Sequence, residues 1–384
     1  MYRKAIIFVI LMAVCRLASA QLNDKERNYV IEKLYFPSPR LDFTYSFTSG
    51  DLLPNKNTPV KRAEKEKEIA KLKKKIKNIP SDAEVYDALS RAYASIFKRE
   101  EAKDYETKAI SNYRKWIALE PNNVEAQDNL ANLYISTQQY KEAESIYQSL
   151  LKKSPNNYNY LAGLRLVYLQ TNNSIAYKEA SERLINLDDS KLAGHFGIVF
   201  FSLLNNIEQV DKDADELKLH QIVPIEYIDA LIERYPKKIE FQTLSAAMYL
   251  LGISFAAYIQ SEELNDIENL SLTKSQIEKL AEVKTFFKEL PNKGYKNEAF
   301  VNYSLMVAAF FEKDIDAVRT LHRKNHLMSP YFLQSKTNAF VIATTFKAYD
   351  FALEALQDKI SIYHEEVDEL FEAKLYFKKK DFAK

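Results

Sequence analysis

"NNVEAQDNLANLYISTQQYKEAESIYQSLLKKSP", residues 122–155, decides how the rest of the chain is read. Leu130, Ala131 and Tyr134 fall on one face of a first helix, and Gln138-Gln139 makes a short turn. Ala143, Tyr147 and Leu150 stand at i, i+4 and i+7 of a second helix, which Pro155 cannot continue. Small residues at 131 and 143 let two antiparallel helices approach to about 8–10 Å, and the tyrosines fill the space beside them. One such pair cannot bury its own apolar face, so the unit makes sense only when stacked on copies of itself.

Copies flank it. Pro121 precedes Pro155 by 34 residues, and the segment it closes carries Leu89, Ser90 and Tyr93, then Ala109 and Tyr113. That segment is seven residues longer, read as two extra helical turns between Ser95 and Asp104. After Pro155, Leu164 and Tyr168 keep the offsets of Leu130 and Tyr134, while Ala180 arrives three residues late and no proline closes the unit.

The pattern resembles the tetratricopeptide repeat (TPR). Residues 122–155 meet its 34-residue period, its small and aromatic positions and its terminal proline, with Gln127 where the family often has Trp. The likeness covers residues 81–187, about three repeats. It implies an all-α fold, a right-handed α-solenoid of antiparallel helix pairs whose first helices line a concave face that holds another protein or peptide. On that face it places Glu84, Asp87 and Arg91, then Asp128, Asn129 and Asn132, then Asn159 and Ala162. The variant of the family that grips a terminal carboxylate uses Lys and Asn at such positions. Glu84, Asp87 and Asp128 stand there instead, so that activity is not carried over, and an acidic, amide-rich groove favours a basic or polar partner. Trp116, the only tryptophan, occupies a small-residue position and is expected to pack into the enlarged first repeat.

The remainder agrees with a helical chain. Only 6 glycines occur in 384 residues, too few for a sheet protein's turns. The start, MYRKAIIFVILMAVCRLASA, has the positive, apolar and small-residue regions of an export signal, expected to be cleaved after Ala20. A lipidated Cys15 is disfavoured by Val14 before it. Removing Arg3, Lys4 and Arg16 with the signal takes the net charge from +1 to −2, no footprint for nucleic acid, and takes the one cysteine too. The expected product is periplasmic or secreted.

Residues 21–60 are read as a short helix (24–35) followed by a proline-containing extended strip, in which Leu41, Phe43, Tyr45 and Phe47 alternate with polar residues. Residues 61–190 are the repeat array, opening on a basic helix whose apolar stripe is Ile69, Leu72, Ile76 and Ile79. Residues 191–384 are divergent helical repeats. Pro236, Leu244 and Tyr249 hold approximate repeat offsets, 241–259 and 300–318 read as buried helices, and 205–219 as an acidic surface helix or loop. Ala373, Tyr376 and Asp381 mark a C-terminal capping helix whose outer face is lysine-rich.

Nothing asks for catalysis. No GxSxG, P-loop or GxGxxG occurs, and no thiol nucleophile survives maturation. His322 and His326 share a helix face but lack the acid of an HExxH zinc motif, and are read as exposed histidines near a helix end. His195 and His364 are unremarkable. No cofactor or metal is expected. The functional reading is a non-catalytic interaction scaffold of the cell envelope; the alternative is an outer-membrane-associated helical glycan- or nutrient-binding protein.

Overall fold

Side-chain caps start the first helix of several pairs. Asp82, Asn123, Asn157 and Asn297 each accept a hydrogen bond from a backbone N–H in the turn that follows, satisfying donors that a helix N-terminus leaves open. The helices that result fill a computed structural model describing residues 62–96, 98–209, 219–260, 272–329 and 333–362, with a few more between 368 and 376. All of them lie in one compact unit. The expected signal peptide, the 24–35 helix, the aromatic strip, most of the acidic 205–219 segment, Ala373, Asp381 and His364 lie outside the described residues.

A leading helix α1 (Arg62–Asn78) is followed by helix pairs α2 (Ala83–Ala94) and α3 (Arg99–Leu119), α4 (Val124–Ser136) and α5 (Tyr140–Lys153), and α6 (Tyr158–Gln170) and α7 (Ser174–Leu187). Next come α8 (Leu192–Gln209), the short α9 (Leu219–Ile222) packed on it and α10 (Ile225–Arg234), which meets α8 through His195 and Tyr227; then α11 (Ile239–Gln260) pairs with α12 (Lys274–Glu289). A 3-10 turn, Leu290–Lys293, leads to α13 (Glu298–Phe311) and α14 (Ile315–Met328), then α15 (Leu333–Thr345) and α16 (Tyr349–Ile360). No strand occurs among the described residues. The packing runs from each helix to its neighbours in sequence, and first helices also touch the next first helix: α4–α6, α8–α11, α11–α13 and α13–α15. This is the α-solenoid of antiparallel helix pairs.

One turn recurs and explains the period. Gln138, Asn172, Lys313 and Lys347 all have left-handed backbones, with φ of 62°, 54°, 59° and 55°. At each, the left-handed residue's N–H reaches the carbonyl three residues back, and the next N–H the one five back, as in Gln138 to Ile135 (3.1 Å) and Gln139 to Tyr134 (2.8 Å). This is the Schellman closure of a helix. At Asn173 and Asp314 the residue that completes it also caps the second helix with its own side chain. Gln138 and Asn172 are 34 residues apart, and so are Lys313 and Lys347, so the repeat returns in the C-terminal half. The stretch 300–318, read from sequence as one helix, is therefore broken at 312–314, because Asp314 starts a new helix.

In the first pair the seven extra residues all belong to the second helix: α3 has 21 residues and α5 has 14. The stripe of α1 packs on α2, with Ile69 buried and Leu72 and Ile76 half-buried, whereas Ile79 is exposed. Ile239–Ala256 of α11 is long and apolar enough to pass for a membrane span, but it is mostly buried among the other helices.

Candidate functional site

Leu89, Tyr93, Ala109, Tyr113, Leu130, Ala131, Tyr134, Ala143, Tyr147 and Leu164 are buried; Tyr168 is half-buried, and Pro121 and Pro155 are exposed at the turns. Gly163 admits the Tyr147 ring, since a Cβ there would overlap it. Trp116 is half-buried and stacks on Tyr113 with ring centroids 6.3 Å apart.

The polar residues of α2 and α4 form two hydrogen-bonded groups. Glu84 and Asn129 meet across α2 and α4, Asn129 donating to Glu84 Oε1 (3.4 Å). On α4, Asn132 donates to Asp128 Oδ1 (3.3 Å) and accepts from the Tyr147 hydroxyl (2.9 Å), so a buried core tyrosine fixes a surface amide. Burial raises the Asp128 carboxyl above the ordinary carboxylate range. Asn159 is exposed on α6 and Ala162 is half-buried.

Asp87 departs from expectation. It is only 2% exposed, ion-paired with Arg91 one turn on, and burial raises its carboxyl despite that guanidinium. The group presented to solvent there is the cation Arg91. The exposed face is thus less acidic than the sequence implied, with Glu84 and Arg91 of opposite sign beside a half-buried Asp128.

His322 is a second correction. It is fully buried, not exposed, because it stands nine residues after the left-handed Lys313, as Tyr147 stands nine after Gln138. Its Nε2 lies 2.9 Å from Asp358 Oδ2, and His326 Nδ1 lies 3.3 Å from the same oxygen. From α15, the buried Lys336 donates to His326 Nδ1 (2.6 Å). Burial lowers Lys336 to about 8, and burial and Lys336 together lower His326. Arg319 and Arg323 clamp Glu354 on the outer side of the same joint. Counting from the turn would have revealed this polar core, but that turn carries Lys313, which nothing in the sequence marks as left-handed. Among the described residues no three His, Cys, Asp or Glu side chains are grouped to hold a metal.

His195 joins the third pair to the fourth. It is buried, with Nε2 2.7 Å from the Asp189 carbonyl and Nδ1 2.6 Å from the Tyr227 hydroxyl. The carbonyl can only accept, so Nε2 donates and Nδ1 accepts from Tyr227. Burial lowers the histidine and raises Tyr227 to about 12.

A tetratricopeptide repeat family model matches residues 101–167. No curated protein matches the chain significantly. Among solved structures, the crystal structure of the APC/C hetero-tetramer Cut9-Hcn1 aligns at 13% identity and a TM-score of 0.30, over 92% of this chain and 67% of that one.

Proposed function

We propose that this chain is a non-catalytic scaffold that holds another protein along the face built by its first helices, within the cell envelope. One observation carries the reading. On α2 and α4 several polar groups are ordered by the fold itself yet keep some exposure to solvent, as where the Tyr147 hydroxyl holds the exposed Asn132 and where Asn129 bonds Glu84. Preorganised, half-satisfied amides and carboxylates of this kind suit hydrogen bonding to an extended backbone at low ordering cost. Glu84, Asp128, Asn129, Asn132 and Asn159 would meet the backbone and basic side chains of the partner, and Arg91 an acidic one. The tetratricopeptide match over 101–167 includes α4, the centre of this face.

The test is affinity capture from envelope extract with wild-type bait beside a Glu84→Lys/Asp128→Lys variant; Asp87 is left intact because it is buried. A protein retained by the wild type and lost from the variant supports the reading. An identical set on both baits removes it, and glycan retained by both would turn attention to the nutrient-binding alternative. Export is a separate part of the proposal, supported by the first twenty residues. The mass of the mature chain tests it: a start at Gln21 is expected, and an intact Met1 in envelope fractions would contradict it.

A further inference from the structure

The third helix pair departs from the second at one matched contact. Ala131 and Ala143, both fully buried, are replaced 34 residues on by Arg165 and Tyr177, both also buried. Arg165 is 3% exposed. Its Nη1 donates to the Tyr177 hydroxyl (3.0 Å), and the guanidinium carbon lies 5.3 Å from the centre of that ring. No carboxylate pairs with it among the described residues, and its buried Nε–H has no acceptor. Two turns earlier on the same face of α6, the Tyr158 hydroxyl is also buried and without a partner.

The surroundings leave this cation uncompensated. Asp188, the acid that acts on Tyr158, is engaged by Ser190 and by Lys191 (3.3 Å). Lys191 adds a second cation, its Nζ 4.1 Å from the centre of the Tyr158 ring. Gly197 of α8 closes the other side: a Cβ there would lie 3.1 Å from Arg165 Nη1 and would overlap Ser181. A buried charge is costly unless paired, and buried donors without acceptors are few in folded proteins. With Nη1 committed to Tyr177, the guanidinium has its Nε–Nη2 edge left, the side-on fork that matches two oxygens of a planar anion.

We propose that Arg165 and Tyr158 bind a small planar oxyanion of the carboxylate class, formate- or acetate-sized, at the junction of the third and fourth helix pairs. The anion takes the Nε–Nη2 edge with its oxygens, accepts from the Tyr158 hydroxyl, and neutralises the guanidinium. It thereby fastens α6 beneath α7 and α8. The site is independent of the exposed first-helix face.

The experiment uses the full mature chain. Thermal unfolding and titration calorimetry are followed with sodium formate, ionic strength being held constant with sodium isethionate, whose sulfonate is tetrahedral. Formate should raise the melting temperature saturably, and Arg165→Met should abolish the response. Tyr158→Phe, which keeps the ring and removes a hydroxyl that has no partner, should weaken formate binding at least about tenfold, the loss of one hydrogen bond to a charged group. That variant decides the matter if Arg165→Met does not fold. The proposal is overturned if formate stabilises no more than isethionate, if chloride does as well as formate, or if Tyr158→Phe binds formate as the wild type does.

Discussion

Replacing Lys336 with methionine should make the protein more stable. The ammonium of Lys336 is 2% exposed on α15, and burial lowers it from 10.5 to about 8. At about 1.4 kcal/mol per pH unit, that difference corresponds to about 3 kcal/mol of penalty on the charged folded state at neutral pH. Its bond to His326 Nδ1 returns about 1 kcal/mol. Methionine fills a similar volume with no charge to desolvate. The net expectation is a gain of about 2 kcal/mol at pH 7. The pH dependence has a definite sign. Above pH 10.5 the lysine is neutral in both states and carries no penalty. As pH falls to about 8 the unfolded chain takes up the proton first, so the folded state loses stability; below that the loss is constant. Urea unfolding of the wild type and Lys336→Met should show a gap at pH 7 that closes or reverses by pH 10.5. A variant clearly less stable at pH 7, or a gap of equal size at both pH values, would refute the reasoning.

Three further outcomes follow from the same geometry. His326 and His195 are both lowered from 6.5, so stability should fall as pH drops below that value, because the unfolded chain protonates first; His326→Gln, which still accepts from Lys336, should flatten part of that decline in urea titrations between pH 7 and 5. Gly163→Ala would drive a methyl into the Tyr147 ring and should destabilise by about 1–3 kcal/mol, with recovery in the Gly163→Ala/Tyr147→Leu double variant. Gln138→Gly relieves a left-handed backbone and should raise the urea midpoint, a gain of about 0.5–1 kcal/mol after the entropy cost of glycine is deducted.

The array between 81 and 187 was legible because its signal lies in packing. Alanine at 131 and 143 and tyrosine at 134 and 147 are constrained by the distance between helix axes, and that constraint shows as a fixed spacing. The C-terminal pairs keep the backbone but change the side chains. His322 fills the place of Tyr147 and Val318 that of Ala143, so a pattern of residue types loses the repeat while the turns at Lys313 and Lys347 preserve it. The late Ala180 has the same origin, since Tyr177 takes the alanine position and is contacted there by Arg165. The charge offered by the first helices was not legible. Asp87 lies on the buried side of α2, and no spacing rule distinguishes a carboxylate paired with Arg91 there from one offered to solvent.

The scaffold reading is tested most directly by placing a photo-crosslinking amino acid, one site at a time, at Arg91, Asn132 and Asn159 on the first-helix face, and at Leu119, which is 83% exposed on α3. Irradiation in intact cells should yield one adduct of common mass from all three face positions and none from Leu119. Adducts from Leu119 alone, or the same adducts from all four positions, would contradict the account.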